Sequence, residues 1–351
     1  MKKFSISIIG CGRIFSKHLT AIKKNTKFLK IEAVCEKNYN VFKSKNFKKN
    51  VKYFNNIKDL SDKTNSDLYV ILTPSGDHYE HIVQISKKNR TILVEKPMVL
   101  DLRHIKKLSK LKKKKKLNIF VVKQNRYNPA IKKLKMAINQ KRFGKIFLAS
   151  LRVRWKRDKN YFNLDKWRGT WKKDGGVLAN QASHHIDLLQ WTVGNVKSVF
   201  SKKLIVNKHT KAPDTVIAVL KFNNGAIGVI EATTASQPKD IESSISILGN
   251  KGTAEIGGFA VSKIIHWDFI NRLKTDKQIN KFSSDYQNVY GFGHIEIYRE
   301  LIKFFSNKPN TCINFSEGLS SIKLIDKIYA SAELNKEVFM SDNNFSKLLG
   351  K

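Results

Sequence analysis

The sequence predicts a two-domain α/β protein: an N-terminal Rossmann-type doubly wound parallel sheet, then an α+β domain with an open, mostly antiparallel sheet. Three observations carry this. Short apolar runs alternate with amphipathic stretches up to about residue 123, a Gly10-x-Gly12 turn stands directly behind the first run, and beyond residue 124 longer runs are joined by tight turns. At 351 residues the chain exceeds ordinary single-domain size, and 41% hydrophobic residues suffice for two cores. The expected domains are 1–123, binding a dinucleotide, and 124–351, binding substrate and forming oligomers.

The first run, Phe4 to Ile9, reads as a strand. Gly10 allows the turn out of it and Gly12 lets the backbone approach a pyrophosphate. The following helical stretch, Ile14 to Lys24, turns its unpaired N–H groups toward that anion. A second strand, 31–35, ends at Glu36, where a carboxylate accepts the ribose hydroxyls of NAD and repels the extra phosphate of NADP. NAD is therefore the expected cofactor. Phe15 stands where the third glycine of the pattern would be, so the reading leans on its strand–turn–helix context. Strands at 51–54, 68–73, 91–95 and 118–123 complete a parallel sheet with right-handed crossovers. A helix from Pro129 to Asn139 follows. Thr215 to Phe222 and Ala226 to Thr234 flank Asn223-Asn224-Gly225 as an antiparallel hairpin.

The 67 Lys+Arg against 28 Asp+Glu give a formal net charge of +39. The lysines are spread along the chain among many Asn and Ile residues, and no zinc-finger, basic-zipper or RNP-type motif accompanies them, so specific nucleic-acid binding is not expected. Lys112 to Lys116 reads as a solvated helix end favoured by the helix dipole. So positive a field attracts an anionic substrate. Three cysteines without metal spacing fit a reducing compartment. The Ser-interrupted run before Gly10 is too short for a signal-peptide core and no later run reaches membrane-spanning length, so a cytoplasmic protein is expected.

Three further segments carry chemistry: Thr73-Pro74-Ser75-Gly76-Asp77-His78, Glu95-Lys96-Pro97, and Gly175-Gly176 followed by Asn180-Gln181-Ala182-Ser183-His184-His185-Ile186-Asp187. The first two follow carboxyl ends of parallel strands, where open α/β sheets place ligands. Lys96 there suits a proton-handling amine; the plainer alternative is a surface lysine. On a helical wheel Asn180, His184, Asp187 and Trp191 share one face opposite Ala182, Ile186, Leu189 and Val193, so Asn180 and Asp187 are expected to orient His184. His185 points elsewhere. Strand Phe147 to Lys156 puts Arg152, Arg154 and Lys156 on one face, either a cationic row for a diphosphate or a solvated sheet face.

With these motifs the chain resembles the glucose-fructose oxidoreductase/inositol dehydrogenase (Gfo/Idh/MocA) family over essentially its whole length. The resemblance implies that Lys96 and His184 act beside the oxidised carbinol, converging on one face of the nicotinamide. Many members carry Asp four residues before the histidine, where this chain has Asn180. It implies NAD contacts from Gly10, Gly12, Arg13, Ile14 and Glu36, from Thr73, Pro74, His78, Glu95 and Lys96, and from Gln124, Trp167 and Arg168. Substrate contacts are expected from Lys96, Arg126, Asn128, Tyr161, Asn180, Gln181, His184 and His294, and no metal is expected. The segments around Val122–Pro129, Trp167–Trp171, Asn180–His184 and Tyr290–His294 look like members that oxidise the C3 hydroxyl of UDP-N-acetylglucosaminuronic acid for surface polysaccharides. That branch implies tightly held NAD, 2-oxoglutarate as hydride acceptor in some members, and a homo-oligomer, a dimer or tetramer. The alternatives are an inositol or free-sugar dehydrogenase of the same family and a non-catalytic NAD-binding regulator.

Overall fold

The computed structural model describes residues 3–284, 286 and 291–351. The chain divides into two compact units, Met1–Val122 with His294–Leu319, and Lys123–Gly293 with Ser320–Lys351.

In the first unit β1 (Phe4–Ile9), α1 (Phe15–Lys23), β2 (Leu29–Cys35), α2 (Tyr39–Lys43), β3 (Lys52–Phe54), α3 (Ile57–Lys63), β4 (Leu68–Ile71), α4 (His78–Ile85), β5 (Thr91–Val94), α5 (Arg103–Lys115) and β6 (Asn118–Val121) alternate as expected. The sheet runs β3-β2-β1-β4-β5-β6 and every pairing is parallel. β4 and β5 are buried at every residue. Helices covering both faces of a parallel sheet require such continuous apolar runs. Because β4 stops at Ile71 and β5 at Val94, Thr73 and Lys96 lie in the turns beyond the strands rather than on them.

A division at 123/124 omits a returning segment. Residues 294–319 cluster with the first unit, where Val121 N–H donates to the Ile313 carbonyl at 2.9 Å and Phe120 bridges to Asn314. Phe305 stacks on Phe4 with centroids 4.9 Å apart. The returning chain covers the otherwise open edge of β6, and such edges are a liability when left bare.

The second unit contains α6 (Pro129–Asn139), β7 (Ile146–Arg154), α7 (Lys159–Asn163), α8 (Gly176–Asn180), α9 (Ser183–Val193), β8 (Val196–Leu204), β9 (Thr215–Phe222), β10 (Ile227–Thr233), β11 (Glu242–Gly249), β12 (Gly252–Gly257) and β13 (Lys263–Phe269). Two further helices are α10 (Gly293–Phe305) and α11 (Phe315–Leu334), and β14 (Val338–Phe339) is the last strand among the described residues. The sheet order is β13-β12-β11-β7-β10-β9-β8-β14, and among the described residues only β7 and β10 pair in parallel. β9 alternates buried and exposed residues along most of its length, the mark of a sheet packed on one face. Its open face bears Ile217, Val219 and Ile227, and also Arg152 and Arg154. Arg154 is bonded there to Glu231 at 2.5 Å and to Glu242 at 2.9 Å. The cationic row thus lies on the open face with carboxylates interleaved.

The helical wheel over 180–191 is corrected. Residues 181 and 182 form a turn, so α8 and α9 are separate helices. α9 is buried nearly all round, His184, His185 and Asp187 included. The glycine pair does admit a close neighbour, which is the protein itself. A Cβ on Gly176 (φ +72°) would fall 2.6 Å from the Pro213 carbonyl oxygen and 2.9 Å from the Tyr329 hydroxyl. Among the described residues no helix is long and apolar enough to cross a membrane.

Candidate active site

In the first unit the turns behind β1, β4 and β5 carry the residues singled out by sequence. Gly10 has φ +92°, and a Cβ there would stand 3.0 Å from Thr73 Cγ2 and 3.3 Å from the Leu72 backbone, so both conformation and space require glycine. A Cβ on Gly12 would meet nothing within 4 Å. The cradle beside Gly12, Arg13 and Ile14, at the start of α1, is open for a pyrophosphate. Phe15, in place of the third glycine, is buried with its ring edge-on to Phe47 at 5.7 Å. A side chain therefore seats α1 where a missing one usually does. Glu36 Oε2 accepts the Cys11 N–H at 2.8 Å and Oε1 the Asn38 N–H at 3.1 Å. A carboxylate thus stands beside the glycine turn at the end of β2, and this donor and acceptor set fits NAD. Burial pushes the Cys11 and Cys35 thiols up to about 12, so neither is a thiolate nucleophile at neutral pH.

Four residues expected to meet ligand have side-chain partners inside the unit. His78 is buried, with Nδ1 2.7 Å from the Pro97 carbonyl oxygen and Nε2 2.8 Å from that of Thr73. Glu95 Oε1 lies 2.9 Å from His18 Nε2 and 3.6 Å from His294 Nε2, while Oε2 accepts the Lys96 backbone N–H at 3.1 Å. His294 packs its ring edge against His18 at 4.9 Å. Tyr290, from the same segment, lies outside the described residues. Thr73 Oγ1 bonds His81 Nδ1 at 2.8 Å. Pro74 caps the short turn before His78. The Lys96 side chain is half-buried.

Burial alone would raise the Glu95 carboxyl, but hydrogen bonds from His18 and His294 hold it well below the usual carboxylate range. Burial also lowers the pKa of His18 against the opposing bond to Glu95. Both groups are thus depressed on folding, so each stabilises the fold above its unfolded pKa and that contribution is lost as pH falls. The unfolding temperature should decline from about pH 6.5 downward through His18 and again below about pH 4.3 through Glu95. A scanning-fluorimetry series in which the midpoint stays flat or rises between neutral and mildly acid pH would refute this.

In the second unit Gln124 Nε2 donates to His184 Nε2 at 3.0 Å, which leaves the neutral ring's proton on Nδ1. The expected orienters of His184 have other partners. Asp187, 1% exposed, takes a two-pronged bond from Arg126, Nε to Oδ2 at 2.7 Å and Nη2 to Oδ1 at 2.9 Å, and Lys123 Nζ stands 3.4 Å from Oδ1. Burial would raise the Asp187 carboxyl, but the Lys123 and Arg126 charges hold it below its ordinary value. Arg126 is therefore an internal counter-ion where a substrate contact was expected. Asn128 is also internal, donating from Nδ2 to the Ala260 carbonyl at 2.5 Å. His185 sets its ring edge-on to Trp155 at 5.6 Å.

Asn180 meets a carboxylate that the sequence reading missed. Its Nδ2 donates to Asp174 Oδ2 at 3.0 Å and to the Tyr161 hydroxyl at 3.4 Å, and Gln181 Nε2 reaches the same hydroxyl at 3.1 Å. Asp174 is itself held by the Gly169 and Gly176 N–H groups. Burial raises the Tyr161 pKa, so the phenol keeps a proton to donate. The Arg168 guanidinium lies 4.5 Å from the Tyr161 ring and 4.7 Å from that of Trp167, and its Nε donates to Asp165. His18 was also overlooked, although it sits on the buried stripe of α1 with Phe15, Ala21 and Ile22. Nothing in the pattern of Tyr298 or Lys123 signalled a role.

Residues 4–123 match the model described as the oxidoreductase family, NAD-binding Rossmann fold, and residues 135–340 the oxidoreductase family, C-terminal alpha/beta domain. Among solved structures, the WlbA dehydrogenase from Bordetella pertussis, in complex with NADH and UDP-GlcNAcA, is 34% identical with a TM-score of 0.92, covering 96% of this chain and 98% of that one. The WlbA dehydrogenase from Chromobacterium violaceum, with the same two ligands, is 33% identical with a TM-score of 0.91, covering 97% and 96%. The myo-inositol 2-dehydrogenase of Thermotoga maritima is 26% identical over 253 residues, 70% of this chain and 73% of that protein. Two family models spanning most of the chain, over a nucleotide turn and a half-buried lysine at the ends of parallel strands, place it: the chain belongs to the Gfo/Idh/MocA family of NAD-dependent oxidoreductases.

Proposed function

We propose that this dehydrogenase oxidises the C3 hydroxyl of a UDP-sugar, UDP-N-acetylglucosaminuronic acid or a close analogue. The observation that carries the reading is the near-full-length likeness, at 33–34% identity, to two dehydrogenases solved with NADH and UDP-GlcNAcA. The net charge of +39 supports it, because such a field draws in a substrate carrying a diphosphate and a carboxylate.

Bound NAD would supply the hydride acceptor for the carbinol carbon. Lys96 and His184 manage the hydroxyl proton, with the amine of Lys96 receiving it, or the imidazole once Gln124 gives up its bond to Nε2. Gln124 sets the orientation of His184 through the bond to Nε2. Tyr161, accepting from Asn180 and Gln181, has its own O–H left to donate to a sugar oxygen. The Asn180–Asp174 contact returns a negative charge to the neighbourhood where other members carry Asp.

The test is NADH absorbance after adding UDP-N-acetylglucosaminuronic acid to the purified protein with NAD, with and without 2-oxoglutarate, beside myo-inositol and glucose 6-phosphate. The nucleotide sugar should exceed myo-inositol and glucose 6-phosphate in kcat/KM by about 100-fold or more, since a substrate lacking the nucleotide leaves charged and hydrogen-bonding groups unmatched. Oxidation of a polyol with none of the nucleotide sugar would overturn the assignment.

A further inference from the structure

The turn that carries Lys96 is gripped on both sides by buried imidazoles. On the near side, Glu95 Oε1 is 2.9 Å from His18 Nε2, and His18 Nδ1 is 2.9 Å from the Tyr298 hydroxyl. An ionised carboxylate can only accept, so Nε2 carries the proton and Nδ1 accepts from the phenol. Burial holds Tyr298 well above the usual phenol range, so it remains a donor. The chain Tyr298 O–H to His18 to Glu95 therefore runs in one direction, and it ends on the other carboxylate oxygen, which takes the backbone N–H of Lys96. On the far side, His78 stands between the Pro97 carbonyl, 2.7 Å from Nδ1, and the Thr73 carbonyl, 2.8 Å from Nε2; burial lowers its pKa, so the neutral ring donates its one N–H to one of the two. His18, His78 and Tyr298 are each at most 1% exposed, so ligand contact does not account for them.

We propose that His18 and His78 are positioning residues that fix the backbone around Lys96, His18 through Glu95 with Tyr298 as its support, and His78 by its place between the Pro97 and Thr73 carbonyls. Neither touches the reacting atoms. Their effect is to hold the Lys96 amine in one place, and a displacement of about 1 Å at such a group can cost about 100-fold in rate. The inference rests on the assignment of Lys96 as a proton-handling group.

Four variants test it: His18→Ala, His18→Gln, His78→Ala and Tyr298→Phe. Gln at 18 keeps an N–H within reach of Glu95, and Phe at 298 removes one hydroxyl at nearly constant volume, so both should fold even if an alanine variant does not. The alanine variants should lower kcat by about tenfold or more while KM for NAD changes by less than about threefold. His18→Gln should recover part of the loss. A second readout does not need turnover: the rate at which acetic anhydride labels Lys96 in NAD-loaded protein, followed by mass spectrometry across pH. Its profile should shift in His18→Ala, His78→Ala and Tyr298→Phe and return toward wild type in His18→Gln. Wild-type labelling in every folded variant would overturn the proposal whatever happens to kcat. So would stoichiometric zinc in the purified protein that is lost in His18→Gln, because His18, Glu95 and His294 would then be ligands, not a hydrogen-bonded brace. Should Lys96→Ala itself retain turnover, the proton-handling role fails, while the labelling profiles still report whether the imidazoles hold the lysine.

Discussion

Lys96→Ala is expected to lower kcat by about 10³-fold, and His184→Ala by about 10²-fold or more, with NAD affinity within about threefold of wild type in both, as for removal of positioned proton-transfer groups. Lys96 is half-buried in the turn behind β5 and its own N–H is held by Glu95, so the truncation removes the amine without disturbing the strand. His184 lies on a helix buried nearly all round, with Gln124 on its Nε2. Gln124→Ala should therefore reproduce part of the His184 loss. Single-turnover measurements separate chemistry from product release. A Lys96→Ala protein retaining more than about a tenth of wild-type turnover would remove the amine from the mechanism.

The largest effect on stability is expected at Asp187. Asp187→Ala removes the carboxylate that the buried cations Lys123 and Arg126 share. Breaking a buried ion pair from one side costs about 3–5 kcal/mol. A cost of that order should lower the unfolding midpoint by several degrees, about 2–4 °C per kcal/mol for a unit of this size. Trp191, whose ring lies 5.1 Å from the Arg126 guanidinium, provides a fluorescence change to follow. Pairing Asp187→Leu with Arg126→Met should recover much of the loss, because the remaining site is less charged. If Asp187→Ala unfolds within about 1 kcal/mol of wild type, the buried ion triad does not carry the stability assigned to it. Because His184 sits one turn earlier on α9, the same variant should also lower turnover.

Much of the fold was legible in the residues, and the reason is local. Parallel strands buried on both faces need unbroken apolar runs, so Leu68–Ile71 and Thr91–Val94 declare themselves. Gly10 is needed for a backbone angle and a close approach within the first turn. The ends were less clear, since the apolar runs continue to Thr73 and Glu95 after pairing has stopped. The wheel over Asn180 to Trp191 failed because the spacing of polar residues does not report the turn at 181–182 that breaks the helix. Asp174 went unnoticed because its partners are an asparagine six residues on and two glycine amides.

What the sequence by itself determined is the order of elements, the nucleotide turn and the carboxylate at the end of β2. Each depends on neighbours within one strand–turn–helix unit or on motifs in fixed order. Only the tertiary structure decided the partners of the buried charges. Arg126 and Asp187 are 61 residues apart, and His18 and Tyr298 are 280 apart. A side chain's type says that burial demands a partner, but which group answers is set by the packing that brings distant segments together.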